Sequence, residues 1–273
     1  MVRLEIMRGM MLGMLAETHI HSGAGRSEGF VDLPVAREAV TSYPVIAGSS
    51  LKGALRDAAR ERGMDESIFG DQDRAGDVLV SDARLLLLPV RSLTGSYRWV
   101  TCPHILERLS RDMRLCGISD GFEGASVERG KACCTDDLNQ IFLEEREFQR
   151  SNGIDGALID ALKKMVPHKQ TASRLERQLV IISDDDFGWF ASYGLPVIAR
   201  NKLDDNKKSK NLWYEEALAP DTLMYAMVFE RKDGALGKVQ SMFETKPYLQ
   251  LGGNETVGMG WFAVKILEQG EGR

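Results

Sequence analysis

The residues most suited to chemistry stand near the amino terminus, where a glycine-rich loop separates a histidine from an aspartate. His21-Ser-Gly-Ala-Gly is followed by Gly29-Phe-Val-Asp32. A carboxylate on such a loop can act as general base towards a ribose 2′-hydroxyl, or hold a divalent cation beside a phosphate. Because an ordinary aspartate has a pKa of about 3.9, it is a weak base at neutral pH. The metal-holding or positioning role is therefore favoured for Asp32, with Mg²⁺ as the expected ion and a plain turn aspartate as the alternative.

His19 and His21 stand two residues apart, so on a strand they would share one face. Neither has a cysteine or a third histidine nearby in the chain, which disfavours a zinc site. We expect His21, the neighbour of the glycines, to hydrogen-bond the adjacent loop.

A second candidate site is the start of a predicted helix. Gly48-Ser-Ser-Leu-Lys-Gly-Ala-Leu-Arg56 has helical apolar spacing, with serine predicted as the cap and Gly63 as the end. Its lysine precedes the second glycine, so it does not match a P-loop. Free backbone N–H groups at a helix start attract anions. Ser49, Ser50, Lys52 and Arg56 are thus candidates for contacting an RNA phosphate, and a capped helix with solvated basic side chains is the alternative.

Two further segments are candidates for RNA contact. The closing loop Gly252-Gly-Asn-Glu-Thr-Val-Gly-Met-Gly permits close backbone approach to a polyanion, because glycine tolerates positive φ. Its alternative is a tight connection between strands. The polar run 204–211 is flanked by Arg200 and Lys202 and predicts a β-hairpin with a basic tip. The loop candidates are Gly252, Gly253, Asn254, Gly258 and Gly260.

Composition limits the class of protein. The chain has 273 residues, of which 43% are hydrophobic, and a net charge of -5. That charge argues against coating nucleic acid by bulk attraction, so any RNA site must be local. The four cysteines form no CxxC pair and are expected to be reduced thiols. No apolar run predicts a signal peptide or membrane span, which favours a cytoplasmic protein.

The order of the predicted elements indicates an α+β fold. A buried strand over 10–21 precedes the helix at 50, a strand-like run over 77–90 and a helix over 103–114. Residues 117–177 are charged and weakly periodic, which predicts an irregular insertion of loops and short strands. A strand over 178–182, a helix over 184–194 and strands over 196–203, 212–218, 223–230 and 263–267 follow. We predict a ferredoxin-like sheet with helices on one face.

These segments together resemble the backbone RAMP subunit of the Cmr (type III-B) CRISPR effector complex. The resemblance covers nearly the whole chain. Ser-Leu-Lys-Gly with a terminal glycine loop is typical of RAMP proteins in general, whereas the Val-Asp loop and Trp-Tyr-Glu-Glu narrow it to this subunit. Support also comes from Phe69-Gly-Asp, from Ser81-Asp-Ala-Arg-Leu-Leu-Leu-Leu-Pro-Val and from Leu212-Trp-Tyr-Glu-Glu.

The resemblance implies a modified ferredoxin-like (RRM-like) palm spanning 1–273 as a single domain, with a β-hairpin thumb inserted at 197–213. It implies a helical filament of copies along a crRNA, assembled with other RAMP and large subunits, that cleaves single-stranded target RNA at each protomer. By carry-over, Asp32 is the cleavage residue and possible metal ligand, while Lys52 and Arg56 contact the crRNA. His21, Glu215 and Glu216 are the expected helpers.

Two other functions remain open from the sequence. One is a purely structural RAMP scaffold for a complex whose nuclease lies elsewhere. The other is a stand-alone crRNA-processing endoribonuclease, which needs a catalytic histidine and a basic cleft. The four histidines and the net charge of -5 disfavour that second reading.

Overall fold

The computed structural model describes residues 8–27, 29–71 and 73–269. The domain prediction over 1–273 therefore includes terminal residues outside the described part. Two short 3-10 helices cover Glu66–Phe69 and Glu255–Val257. In chain order the other elements are β1 (Gly9–Ala16), β2 (Val45–Ile46), α1 (Gly48–Glu61), β3 (Val78–Val80), β4 (Ala83–Arg91), β5 (Tyr97–Thr101), α2 (Pro103–Leu115), β6 (Lys131–Cys134), β7 (Gln140–Leu143), β8 (Arg146–Arg150), α3 (Gly156–Met165), α4 (Lys169–Gln178), β9 (Leu179–Ile182), α5 (Asp184–Tyr193), β10 (Val197–Leu203), β11 (Ser209–Glu216), β12 (Leu223–Glu230), α6 (Ala235–Glu244), β13 (Tyr248–Gln250) and β14 (Trp261–Leu267).

The centre of the molecule is a ferredoxin-like unit. Strands β14, β1, β12 and β4 lie side by side in that order, and each neighbouring pair is antiparallel. In chain order β1, α1, β4, β12, α6 and β14 give the β-α-β-β-α-β pattern, with the fourth strand beside the first. The predicted α+β, ferredoxin-like class is confirmed.

Helices α2 and α3 cover one face of the central strand β1. All eight residues of β1 are buried. A Cβ atom added to Gly9 would lie 3.1 Å from Cα of Cys116, just after α2, and one added to Gly13 would clash with the carbonyl of Met165 in α3. Positions 9 and 13 share one face of a strand, so α2 and α3 reach that face at their carboxyl ends. The two glycines allow this close approach.

The segment 117–177 is more regular than the sequence predicted. Within it lie β6, β7, β8 and two ten-residue helices, α3 and α4. Strand β6 pairs with β9, which joins the segment to the main sheet. Its apolar side chains, including Ile141, Phe148 and Leu162, belong to the hydrophobic core. The charged surface of these short elements hides their apolar periodicity, so an irregular insertion is the wrong description.

The predicted hairpin is present and slightly longer than expected. Strands β10 and β11 pair from Val197↔Glu216 to Leu203↔Ser209 and form a two-stranded sheet apart from the main one. At the tip, Oδ1 of Asp204 accepts the backbone N–H groups of Asn206 and Lys208. This Asx-type turn closes the hairpin.

Across the described ranges, we find no helix with the length and apolar character needed to cross a membrane.

Candidate RNA-cleavage site

The loop after β1 is attached to one edge of β11. Leu33 donates its N–H to the carbonyl of Tyr214 (3.1 Å), and Glu216 donates its N–H to the carbonyl of Leu33 (2.9 Å). These bonds make residues around Leu33 a short parallel partner of β11. The Asp32 carboxylate joins the same edge, since its Oδ2 accepts the Tyr214 N–H at 2.8 Å. The backbone of β11 thus fixes the position of Asp32.

His21 is anchored on the same edge. Its ring Nδ1 lies 2.7 Å from the carbonyl oxygen of Glu216, and the residue is 8% exposed. The anchor points of Asp32 and His21 are two residues apart on β11, which corresponds to about 7 Å along a strand. The sequence placed these two residues together only through the glycine loop, whereas the structure brings them together through β11.

Asp32 faces an open cleft beside the hairpin. The cleft has a volume of about 480 Å³ and is lined by both the loop and the hairpin strands. Asp32 itself is exposed, and its Oδ1 accepts no hydrogen bond from the described residues. Arg26 and Lys202 bring positive charge to the same walls. We call this the Asp32 cleft; its lining residues are Arg26, Ser27, Asp32, Leu33, Lys202, Asn211, Leu212, Trp213 and Glu215.

Glu215 is a buried structural carboxylate at the floor of this cleft. Its Oε1 accepts from Trp213 Nε1 (2.8 Å), while Oε2 accepts from Arg200 Nε (3.1 Å) and Asn254 Nδ2 (2.8 Å). Burial raises its pKa, but the bonds from Trp213, Arg200 and Asn254 outweigh burial and hold the pKa below its usual value. The side chain is ionised and fully engaged, so it organises the cleft and is poorly placed to accept a proton.

Glu216 lies on the other face of the strand, as neighbouring residues must. Its Oε2 accepts the Val35 N–H at 3.0 Å, and its Oε1 accepts from Arg37 Nη2 at 2.7 Å. It does not line the Asp32 cleft. Through these two bonds Glu216 holds the loop in place, whereas the sequence suggested that it assists catalysis.

The closing glycine loop contacts His21 with its own backbone. Gly253 donates its N–H to the His21 carbonyl at 2.9 Å, and Gly260 donates to the His19 carbonyl at 3.0 Å. Gly252 has φ +100, and a Cβ there would lie 2.7 Å from the His21 carbonyl oxygen. These N–H groups are therefore occupied by protein acceptors. The glycines serve close packing against the histidine strand, which agrees with the tight-connection alternative.

Two other predicted RNA contacts also have protein partners. Arg200 is held by Glu215 and places Nη2 2.7 Å from Met259 Sδ. Asn254 has φ +64 and donates a hydrogen bond from its side-chain amide to Glu215. Lys202 is the hairpin cation whose exposed side chain lines the Asp32 cleft.

Lys52 and Arg56 lie in a separate pocket on α1. Its volume is about 330 Å³, and Ser49, Gly70 and Asp71 line it as well. It shares no lining residue with the Asp32 cleft. Arg56 has a buried Nε that finds no hydrogen-bond partner among the described residues. The predicted phosphate-contact residues Ser49, Lys52 and Arg56 therefore lie together, apart from the cleavage candidates.

The cap of α1 differs from the prediction. The helix begins at Gly48 with Ala47 as its N-cap, and Asp82 Oδ1 accepts the Gly48 N–H at 2.7 Å. Asp82, which is distant in the sequence, therefore accepts the free N–H at the helix start in place of Ser50, which is exposed. Neither Asp82 nor Arg26 was identified as a site residue from the sequence. For Arg26 the sequence signal was its position as a basic residue inside the glycine loop.

The side-chain oxygens near Asp32 decide whether a metal ion can bind there. Among the described residues no group of three or more His, Cys, Asp or Glu side chains converges as metal ligands. Asp32 offers one uncommitted oxygen, whereas both Glu215 oxygens are engaged. Mg²⁺ often binds through one or two carboxylates together with waters and substrate phosphates, and a single carboxylate beside a groove fits that mode.

Known proteins share both the fold of this chain and part of its sequence. The RAMP superfamily model matches residues 14–263. The chain is 32% identical to the CRISPR system Cmr endoribonuclease Cmr4 of Pyrococcus furiosus over 96% of this chain and 97% of that protein. The crystal structure of oligomeric Cmr4 from the same organism superposes with a TM-score of 0.78 at 29% identity, covering 96% and 99% of the two chains. A chain of the type III-B Cmr-beta complex, at 20% identity and a TM-score of 0.75 over 94% and 96%, shares the fold. Our chain therefore belongs to the RAMP superfamily and, within it, to the Cmr4 family.

Proposed function

We propose that this protein is a crRNA-binding backbone subunit that assembles into a helical filament and cleaves single-stranded target RNA at each protomer. The observation that carries the proposal is the Asp32 cleft, where an exposed carboxylate is fixed by β11 beside Arg26 and Lys202. The P. furiosus relative is named an endoribonuclease, which supports cleavage as the activity.

The cleft suits RNA on electrostatic grounds. The positive side chains are local, as a chain with net charge -5 requires, and they stand where a phosphodiester could approach Asp32. An aspartate is a weak base at neutral pH. We therefore assign to Asp32 the task of holding Mg²⁺ near the scissile phosphate, where the ion would stabilise developing negative charge.

His21 is the proposed proton acceptor. In attack by a ribose 2′-oxygen on the adjacent phosphorus, the 2′-hydroxyl loses its proton as the new P–O bond forms, and the bond to the 5′-oxygen breaks, the departing alkoxide taking a proton from water. Nδ1 of His21 faces a carbonyl oxygen, which only accepts. Nε2 of the neutral ring then carries the lone pair that would take that proton once RNA reaches the ring, which is buried and does not line the Asp32 cleft.

Self-association is supported by the hairpin surface and by the relative solved as an oligomer. The two hairpin strands expose four large apolar side chains, whose burial would favour contact with another copy. They are Val197, Leu203, Leu212 and Tyr214. The filament, the crRNA and the other Cmr subunits are the partners in this proposal.

The function is tested by reconstituting the chain with crRNA and the other subunits, then adding labelled complementary RNA. We expect cuts at a regular spacing and none in non-complementary RNA. In a parallel titration of labelled crRNA, the isolated chain should bind weakly and the complex tightly. Tight sequence-independent binding by the isolated chain would contradict the proposal, as would cleavage of precursor crRNA in EDTA, the activity of a stand-alone processing enzyme.

The metal is tested with Asp32→Cys. Thiolates prefer softer ions over Mg²⁺, so this variant should be inactive with Mg²⁺ and regain cleavage when Mn²⁺ or Cd²⁺ is supplied. Asp233→Cys, at an exposed turn, is the matched control and should keep wild-type metal preference. Full wild-type cleavage in EDTA would exclude a metal role for Asp32.

A further inference from the structure

A cluster of arginines lines a pocket remote from the Asp32 cleft. This arginine pocket, of about 380 Å³, lies where the β4–β5 turn meets the end of α4. Its walls carry Arg98, Arg174 and Arg177, together with Tyr97 and Gln178. It shares no lining residue with the Asp32 cleft, and none of the sequence motifs pointed to it.

Three buried polar atoms in these walls have no hydrogen-bond partner among the residues that the structure describes: Arg98 Nε, the Tyr97 hydroxyl and Gln178 Oε1. A buried polar atom without a partner costs stability, and native proteins leave few of them. Three in one pocket point to a polar ligand that supplies the missing partners.

The chemistry of the three atoms restricts the ligand. Arg98 Nε donates. Burial and the nearby Asp221 carboxylate together raise the pKa of Tyr97 to about 12, so the hydroxyl keeps its proton and can donate to a ligand that displaces Asp221. Gln178 Nε2 donates to the Tyr97 carbonyl at 3.4 Å, which orients the amide and leaves Oε1 as an acceptor. The ligand must present anionic acceptors and a donor together. A ribose phosphate has both, whereas a carboxylate side chain has acceptors alone.

Two of the three arginines in the pocket lie near a carboxylate, and the third forms no ion pair with the described residues. Asp136 pairs with Arg98 (2.5 Å), and Asp221 lies 3.9 Å from Arg174. Arg177 is exposed and makes no salt bridge with the described residues. Because Arg177 is held in place at its carbonyl by Arg98, a phosphate bound by Arg177 would lie close to the buried guanidinium.

Two features cover the buried atoms. Gly95 stands over Arg98 with φ +147, and even an added Cβ would remain 3.9 Å from Nε. Arg174 lies across the rings of Tyr97 and Trp99 at 5.9 and 5.5 Å. It is a half-exposed side chain, so its displacement by a ligand uncovers the Tyr97 hydroxyl.

The pocket lies at the same end of the sheet as the loop that carries His21 and Asp32. Strand β1 ends at Ala16 and β5 begins at Tyr97, with β12 and β4 between them. Three strand spacings amount to about 14 Å.

We propose that the arginine pocket binds a ribose-phosphate unit of an RNA strand, its phosphate on Arg98 and Arg177 and its 2′-hydroxyl on Gln178. The inference rests on the proposed function in taking RNA as the ligand, but it adds a contact site separate from the cleavage cleft.

The first test measures RNA affinity of the full-length chain against salt concentration. Arg174→Gln/Arg177→Gln removes two exposed charges, and Arg111→Gln/Arg129→Gln removes two exposed charges elsewhere. For single strands the slope of log affinity against log salt changes by about 0.7 per phosphate contact. For the one phosphate of the proposal we expect a slope smaller by about 0.7 in the pocket variant and an unchanged slope in the control. Equal slopes in both variants would overturn the proposal.

The second test uses Gln178→Met, which keeps side-chain volume and removes the acceptor. The ratio of RNA to DNA affinity for one sequence should fall by about fivefold, the loss expected for one hydrogen bond. An unchanged ratio would refute the 2′-hydroxyl contact. Measuring crRNA alone and crRNA with target distinguishes which strand occupies the pocket.

Photocrosslinking of RNA to the assembled complex separates the two proposals. Crosslinks at 94–98 or 174–178 support the pocket. Crosslinks at the hairpin alone, in a complex that still cleaves, overturn the pocket and leave the proposed function standing. A complex that neither crosslinks nor cleaves contradicts the proposed function itself. Loss of self-association in the pocket variant with an unchanged salt slope would instead assign the arginines to a protein partner.

Discussion

The ring of His21 donates a hydrogen bond from Nδ1 to the backbone carbonyl oxygen of Glu216 at 2.7 Å. A carbonyl oxygen only accepts, so the proton on Nδ1 is fixed, and Nε2 carries the lone pair. A Cβ added to Gly23 would lie 2.8 Å from Nε2, so a side chain at position 23 would clash with the ring. Backbone groups therefore fix the orientation of the buried His21 ring, and this explains the glycine beside it.

Replacing His21 separates its anchoring role from its chemical role. In His21→Asn the amide nitrogen can donate to Glu216 in place of Nδ1, but no base replaces Nε2. We expect near-native stability and a loss of target cleavage of about a hundredfold or more. Gel-resolved cleavage rates and thermal unfolding measure the two effects. His21→Asn that is folded and cleaves at the wild-type rate would remove His21 from the mechanism.

Gly252 should be intolerant of any side chain. With φ +100 and the His21 carbonyl 2.7 Å from an added Cβ, Gly252→Ala combines backbone strain with a clash against backbone. We expect a loss of about 2 kcal/mol or more in the free energy of unfolding.

The control is Gly237→Ala within α6, where an added Cβ meets nothing within 4 Å. That change should stabilise by roughly 0.5–1 kcal/mol. Urea unfolding curves compare the two variants, and equal stabilities would show that the loop is free to move away from His21.

Much of the fold was readable because several strands and helices have strong apolar patterns. The helix over 184–194 was predicted from its three aspartates at the positive end of the helix dipole, and Ser183 caps it by accepting the Asp186 N–H. The segment 117–177 was misjudged because its helices are short and charged. Pairing of β6 with β9 depends on contacts distant in sequence, which a local pattern does not contain.

The site was predictable residue by residue but its arrangement was not. Asp32 and His21 could be named from the loop sequence and the family resemblance. Their common attachment to β11 depends on Tyr214 and Glu216, which are 182 and 195 positions later in the chain. Conversely, Glu215 was expected to assist Asp32, and only the structure shows that three donors engage its carboxylate.

Glu215 should contribute stability that depends on pH. Its pKa in the folded protein is lowered from the ordinary value of 4.5, so the contribution is present above that value and is lost as the pH falls through the lower folded-state pKa. Glu215→Gln leaves Arg200 without its charged partner.

At pH 7 we expect Glu215→Gln to cost about 2 kcal/mol in unfolding free energy, and the difference from wild type should shrink below about pH 4.5. Denaturant titrations across this range measure it. A difference that grows on acidification would contradict the assigned sign.

Lys52 should contribute to crRNA affinity through charge. Lys52→Gln removes one positive side chain from the pocket on α1, so the salt slope of crRNA binding should fall by about 0.7. The control is Lys169→Gln at the exposed start of α4. If the salt slope fell by the same amount in Lys169→Gln as in Lys52→Gln, crRNA would be held by bulk charge attraction and not by a local contact at Lys52.

Asp32 carries the central claim, and Asp32→Asn is its most direct test because the amide oxygen can still accept the Tyr214 N–H and keep the loop in place. The measurement is the rate of target-RNA cleavage by the reconstituted complex, with Asp233→Asn as the control and assembly on crRNA checked in parallel. We predict intact assembly with cleavage reduced by a hundredfold or more for Asp32→Asn. Cleavage at the wild-type rate by an assembled Asp32→Asn complex would contradict the account and leave this chain as a scaffold.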